Sequence, residues 1–283
     1  MSGCLVKIRQ GLESFKPSEK KVAQFILDTP REIKDLSITE LAKKSNTSEA
    51  SIVRFCKSLE LKGYQELKLA VSLETSRAEQ GEKVLFEQIG TGDSTQEIIS
   101  KVSSGNIQAI EDTKNILSSE ELEKAIETID KAKSINIFGL GASSVVALDA
   151  QYKFMRINIP THMYFDSHIQ MTSAVHLTKE DVAIGISYSG RTKEIVEAMK
   201  VAKKKGAKTI AITQFGDSPL AGSADIKLYT AAVENNFRSG AMASRIAQLT
   251  VIDSLFIGVA CRRYDEVIEH LYETREVVKD RKY

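Results

Sequence analysis

The 283-residue chain has no tryptophan and only four histidines, which leaves little material for a histidine-based metal site. Its three cysteines, Cys4, Cys56 and Cys261, are far apart and odd in number. No C-x-x-C spacing exists, so neither a disulfide framework nor a zinc ribbon is supported, and free thiols suit a reducing cytoplasm. No apolar span reaches the ~18 residues of a membrane helix; the longest candidate, Leu249 to Ala260, is interrupted by Asp253 and reads as a buried helix. The first ten residues carry Lys7 and Arg9 and lack an apolar signal-peptide core, so secretion is not expected. An excess of one charge is missing too: 39 Lys and Arg face 38 Asp and Glu, a net +1. Affinity for nucleic acid, if present, must therefore come from a local motif. What is present is ordinary for a soluble globular protein, 42% hydrophobic and 27% charged residues. Two domains fit this length at ~100–200 residues each.

The halves of the chain carry different patterns. Up to about residue 75 the sequence reads as short helices with charged faces, with 13 Lys and Arg against 10 Asp and Glu; this is a net +3 and leaves −2 for the remainder. From Ser134 to Thr230, apolar β-branched runs alternate with helical periodicity. The runs are Ile135–Phe138, His162–Phe165, Val182–Ser187, Thr209–Thr213 and Ile226–Tyr229. Such alternation implies βαβ units and a parallel sheet covered by helices on both faces. Between the halves, Gly90-Thr91-Gly92-Asp93 marks a loop or linker tip. Ser94 with Glu97, and Ser118 with Glu121, have capping-box spacing and start helices. Ala241 to Ala260 reads as one long buried helix, followed by a more polar helix to about Lys279. The expected division is a helical domain over 1–76, a helical linker over 77–118 and an α/β domain over 119–283.

Ser37-Ile38-Thr39-Glu40 has capping-box spacing ahead of Leu41 and Ala42, and that helix is predicted to end near Lys44. Asn46, four residues after Ala42, tolerates the left-handed conformation of a tight interhelical turn. Ser48 then caps a second helix with apolar positions Ile52, Val53, Phe55, Cys56 and Leu59. This is the spacing of a helix-turn-helix. It leaves Ser48, Glu49, Ser51, Arg54 and Lys57 outside the small core, where such a helix enters the major groove. Ser and Arg read bases, and Lys more often meets phosphate. The same spacing also suits an ordinary helical hairpin with a solvated face. One such module binds DNA feebly, so a partner domain that oligomerises is expected. Cys56 reads as a small core residue, ahead of a redox sensor.

In the second half, Gly139-Leu140-Gly141-Ala142-Ser143-Ser144 links a strand directly to a helix, which offers backbone N–H groups and a positive dipole end to an anion. A dinucleotide site is a rival reading: Gly139 and Gly141 match the first glycines of G-x-G-x-x-G, and Asp166 stands where a ribose-binding acid belongs. Ser144 occupies the third glycine position and degrades the match. Ser187-Tyr188-Ser189-Gly190-Arg191-Thr192 converges hydroxyls, a glycine and a helix N-terminus within six residues. That is the chemistry of a phosphate cradle, although a single Ser or Thr there would merely cap the helix. Two such loops at the C-terminal ends of parallel strands favour a ligand site. Arg191 is a candidate anion contact and Glu194 a candidate base. His168 and His176, eight apart and without an acidic partner, read as structural or sugar-edge residues, not as metal ligands.

These motifs together resemble the RpiR family of bacterial transcription regulators, which join an N-terminal helix-turn-helix domain to a C-terminal SIS (sugar isomerase) domain. Lys20 to Leu69 is similar to the DNA-binding domain, including Ser51-Ile52-Val53-Arg54-Phe55-Cys56 and Gly63-Tyr64-Gln65-Glu66-Leu67-Lys68. The two loops above and Phe237-Arg238-Ser239-Gly240-Ala241-Met242-Ala243-Ser244-Arg245-Ile246 are similar to the SIS motifs. The resemblance covers nearly the whole chain. It implies an all-α helix-turn-helix domain plus an α/β SIS domain with a five-stranded parallel sheet. It also implies a phosphorylated sugar held by Ser187, Ser189 and Thr192, completed by Gly141, Ser143 and Ser144. The further expectations are a double-stranded DNA operator, a homodimer or homotetramer, no cofactor and no membrane. The activity implied is repression of sugar or amino-sugar metabolism genes in the cytoplasm, without catalysis. A second reading stays open: a sugar-phosphate isomerase or lyase with an accessory helical domain, with Glu194, Glu234 and His168 as its candidate acid/base residues.

Overall fold

The computed structural model describes residues 3–78, 89–232, 241–277 and 279. The chain packs into two compact units. One comprises Met1–Ile116 with Phe215–Asp217 and Ala231–Phe237, the other Leu117–Gln214, Ser218–Thr230 and Arg238–Tyr283.

The first unit is helical: α1 (Cys4–Gly11), α2 (Pro17–Asp28), a 3-10 helix (Pro30–Asp35), α3 (Ile38–Lys44), α4 (Glu49–Ser58), α5 (Tyr64–Ala78) and α6 (Thr95–Ile116). Its core is built from the apolar faces of short helices. Val22, Ile26, Leu41, Ile52, Phe55 and Leu67 are fully enclosed, and Phe15 meets Phe55 edge-on with ring centroids 5.2 Å apart. The predicted starts are observed. The Ser37 backbone N–H and hydroxyl both donate to Glu40 Oε2 at 2.7 Å, and Ser94 and Glu97 pair in the same way ahead of α6. α6 spans much of the segment expected to be a linker, and it contacts α1 in this unit.

One contact on α6 carries a pH signature. Asp112 is 4% exposed. It accepts from Gln108 Nε2 at 2.8 Å and has Arg9 only at 3.9 Å. Burial pushes its carboxyl above the usual range, against the smaller opposing pull of Gln108 and Arg9. A carboxyl whose folded pKa is raised contributes stability below its unfolded pKa, and that contribution is lost as pH rises through the folded value. Asp112→Asn is therefore expected to raise the melting temperature at pH 7, with the gain shrinking toward pH 4. Thermal denaturation of both proteins across that range checks the sign; a variant less stable at pH 7 would contradict it.

The second unit runs α7 (Ser119–Asp130), β1 (Ser134–Gly139), α8 (Ala142–Met155), β2 (Thr161–Met163), α9 (Ser167–Val175), β3 (Asp181–Ile186), α10 (Lys193–Lys204), β4 (Lys208–Gln214), α11 (Pro219–Ser223), β5 (Ile226–Thr230), α12 (Met242–Arg262) and α13 (Tyr264–Glu276). All neighbouring strands pair parallel, in the order β2-β1-β3-β4-β5. Alternation of side chains along each strand splits the core between the faces. Ile135, Ile137, Ile184 and Ile212 pack toward α7, α8 and α12, while Phe138, Ala183 and Ala211 pack toward α9, α10 and α11. The second strand stops at Met163, short of its predicted end, and leaves Tyr164 and Phe165 38% and 62% exposed. α12 is long and apolar enough to cross a membrane by composition, yet Val251, Ile252, Leu255 and Val259 are enclosed against the sheet, as a core helix requires.

Candidate functional site

Two sites emerge, one in each unit. In the first, α3 ends at Lys44 and the turn passes through Asn46, whose φ of 51° is the predicted left-handed conformation. The Thr47 N–H closes the turn on Ala42 O at 2.9 Å. Ser48 then caps α4, its hydroxyl accepting from the Ser51 N–H. Ile52, Phe55, Cys56 and Leu59 are buried as expected. Two residues depart from the expected pattern. Val53, read as a core position, is 40% exposed, because at about 100° per residue it falls on the exposed arc of Arg54 and Lys57, away from the arc of Ile52, Phe55, Cys56 and Leu59. Ser51, read as an outward residue, is 4% exposed. Its hydroxyl lies 3.0 Å from Ser48 Oγ and accepts from Arg54 Nη2 at 2.9 Å. Ser51 thus braces the guanidinium instead of facing outward. Arg54 and Lys57 stand exposed on α4, and Glu49, also exposed, accepts from Thr39 Oγ1 at 2.6 Å, tying the start of α4 to α3. Burial pushes the Cys56 thiol up to about 11, which keeps it protonated at neutral pH.

In the second unit the two loops leave neighbouring strands. β1 and β3 pair with Gly139 opposite Ile186, the last residue of each strand. The strand order places β2 on one side of β1 and β3 on the other, so the chain reverses direction across the sheet at this pair. A crevice at the carboxyl ends of strands at such a switch point is where open α/β sheets bind ligands. The first loop turns through Gly141 at φ 58° and feeds α8. The second is held from below: Thr213 Oγ1 and the Gln214 N–H both donate to Tyr188 O, at 3.2 and 3.0 Å, and the Ser187 N–H donates to Ile212 O. Its Gly190 sits at φ 63°.

The hydroxyls differ in what they already do. Thr192 is the N-cap of α10, yet its side chain makes no cap hydrogen bond; Oγ1 lies 3.0 Å from Ser187 Oγ. That separates this loop from simple helix capping. Ser187 is buried, whereas Ser189 and Thr192 are half-buried. Ser189 Oγ accepts from the Arg191 N–H at 3.3 Å. Ser144 donates to Gly141 O at 2.6 Å and so braces its own turn. Ser143 donates to Gln248 Oε1 on α12 at 3.5 Å, a partner that sequence spacing does not disclose.

Asp166, the residue placed as a ribose-binding acid, is instead the N-cap of α9 and accepts from the Ile169 N–H at 2.9 Å. His168 and His176, at opposite ends of α9, are both exposed, and so is Glu194 on the first turn of α10. Glu234 and the start of the third motif, Phe237 to Gly240, lie outside the described residues.

The chain is similar to known proteins along its whole length. The family model described as a helix-turn-helix domain of the rpiR family matches residues 2–78, and the SIS domain model matches residues 128–258. An HTH-type transcriptional regulator of Caldanaerobacter subterraneus subsp. tengcongensis is 51% identical over 282 residues, covering 100% of this chain and 99% of the relative. The HTH-type transcriptional regulator YbbH of Bacillus subtilis is 37% identical over 98% of each chain. The solved structure of the Vibrio vulnificus NanR protein complexed with ManNAc-6P aligns with a TM-score of 0.62 at 29% identity, covering 99% of both chains.

Proposed function

Because the chain belongs to the rpiR family of helix-turn-helix transcriptional regulators and carries that family's SIS domain, we propose that it is a cytoplasmic repressor of sugar or amino-sugar genes, released or retained on DNA by a phosphorylated sugar. Residues 1–76 read the operator, 77–118 connect, and 119–283 bind the effector. The observation that carries the effector site is the pairing of Gly139 with Ile186, which sets two hydroxyl-bearing loops side by side at the switch point. Ser187, Ser189 and Thr192, with the first turn of α10, form the phosphate cradle, and Gly141, Ser143 and Ser144 close it from α8. A bound anion there gains charge-assisted hydrogen bonds and a helix N-terminus. ManNAc-6P, the ligand of the NanR complex, makes an N-acetylated amino-sugar 6-phosphate the first effector to try. On DNA, Arg54 reads a base edge with Ser51 holding its guanidinium, while Ser48, Glu49 and Lys57 border the contact. The working species is a homodimer or homotetramer, since paired half-sites require it.

A labelled duplex enriched from random-sequence DNA by the full-length protein, followed by fluorescence anisotropy with and without ManNAc-6P and other hexosamine 6-phosphates, tests this. The expected change in DNA affinity is about 5–150-fold, the usual range of allosteric coupling. Indifference of DNA affinity to every sugar phosphate that binds would sink the sensor. The same protein is expected to turn over none of them.

Ser189→Ala removes one half-buried hydroxyl from the cradle. A hydrogen bond to a charged group contributes about 1.5–3 kcal/mol, so sugar-phosphate affinity is expected to fall about 10–150-fold, with DNA binding unchanged. Calorimetry showing an unaltered affinity would remove Ser189 from the site.

A further inference from the structure

Gln248 lies on α12, one of the helices packed over the sheet, and is 2% exposed. Its Oε1 accepts from Ser143 Oγ at 3.5 Å. Its Nε2 is buried and has no hydrogen-bond partner among the described residues. An apolar residue at this place on α12 would bury as well without a stranded donor. A buried polar group left unpaired opposes folding, and each such group in a folded protein calls for an account. Ser143, the group it touches, stands on the first turn of α8, which follows β1, and β1 pairs with the strand that feeds the second serine loop.

We propose that Gln248 is a positioning residue for the effector site, and that it ties occupancy of the serine loops to α12 through the direction of the Ser143 hydroxyl. This rests on the phosphate reading above. With Ser143 Oγ–H turned toward Gln248 Oε1, the hydroxyl proton is spent inside the protein. A phosphate oxygen at the cradle accepts that proton instead, and the Ser143 oxygen is left with lone pairs facing α12. A half-turn of the Gln248 amide then presents Nε2–H to Ser143 Oγ. The donor that was stranded becomes paired, and the group left over is a carbonyl oxygen, the kind of buried group more readily left under-satisfied. Binding therefore exchanges a stranded donor for an unpaired acceptor, and Ser143, accepting from Gln248 while donating to phosphate, sits in a short polarised chain of hydrogen bonds. No covalent step is involved.

The test is a double-mutant cycle on the full-length protein, with ManNAc-6P and, separately, inorganic phosphate as probes in calorimetry. Gln248→Leu is expected to weaken the better probe about tenfold, the order of one hydrogen bond, and to leave the melting temperature level or higher, because it removes the stranded amide. In a Ser143→Ala background the same change is expected to do nothing, since Gln248 acts through that hydroxyl. Gln248→Glu separates a positioning role from a packing role. Its ionised carboxylate accepts but does not donate, so affinity is expected to fall further and to recover as the pH is lowered from 9 to 5. The wild-type affinity over that range, measured alongside, removes the titration of the phosphate itself. If the wild type binds a probe but Gln248→Leu weakens it equally with and without Ser143, or if the Glu variant shows no pH response of its own, the inference falls and the phosphate reading stands. If the wild type binds neither probe at millimolar concentration, both fall together.

Discussion

Gly190→Ala is expected to lower the melting temperature by about 5–15 °C and to abolish sugar-phosphate binding. Two effects add. Gly190 holds φ at 63°, a conformation that opposes any L side chain by about 1–2 kcal/mol. A Cβ there would also lie 2.3 Å from Ser218 Oγ, 2.6 Å from Ser218 Cβ and 2.7 Å from Thr213 Oγ1. Crowding of a packed site opposes folding by about 1–3 kcal/mol. Together these give about 2–5 kcal/mol, and each kcal/mol moves the midpoint of a unit of this size by about 2–4 °C. The loop has little room to relax, because the Leu220 N–H donates to Gly190 O at 3.0 Å and Thr213 also holds Tyr188 O. The clash therefore passes into Ser187, Ser189 and Thr192. Gly141→Ala is the control. Its φ is 58°, but nothing lies within 4 Å of a Cβ there, so only the conformational penalty applies. Equal shifts for the two variants in differential scanning fluorimetry would mean that crowding contributes nothing.

Arg54→Ala is expected to lose most discrimination between an enriched operator and a scrambled duplex, about 5–150-fold from the ~1–3 kcal/mol of a good base contact. Lys57→Ala is expected to weaken both duplexes alike and to reduce the slope of log affinity against log salt by about one. The structure adds a third member to the series. Ser51 Oγ accepts from Arg54 Nη2 at 2.9 Å and is itself 3.0 Å from Ser48 Oγ. Ser51→Ala frees the guanidinium without removing it, so an intermediate loss of discrimination is expected, with non-specific affinity kept. Anisotropy at several salt concentrations reads all three variants. Equal loss of specific and non-specific binding in Arg54→Ala would show that Arg54 meets phosphate, not a base.

Much of this molecule is legible in local patterns. Capping boxes at Ser37 and Ser94 start helices because Ser and Glu satisfy orphan N–H groups within four residues of one another. Asn46 turns left-handed because its own side chain tolerates it. The strand-helix alternation from Ser134 to Thr230 names a parallel sheet, and the serine-rich loops gather their hydroxyls within six residues. Each of these depends on neighbours along the chain. The departures have the opposite character. Ser51 and Val53 exchange the exposures expected of them because the packing of the helices around α4, not polarity, decides which arc of α4 is covered. Asp166 has the type and position of a ribose ligand and is used up by the Ile169 N–H.

The sequence alone determined the element types, the helix-turn-helix spacing and the hydroxyl content of the two loops, since these arise from interactions a few residues long. Only the tertiary structure decided that Gly139 stands opposite Ile186, that Thr192 faces Ser187 instead of capping its helix, and that Gln248, 105 residues from Ser143, shares its hydroxyl. Those pairings depend on strand order and helix packing, where partners far apart in the chain meet through the burial of a common core, and no local pattern records which of the available partners that core will bring together.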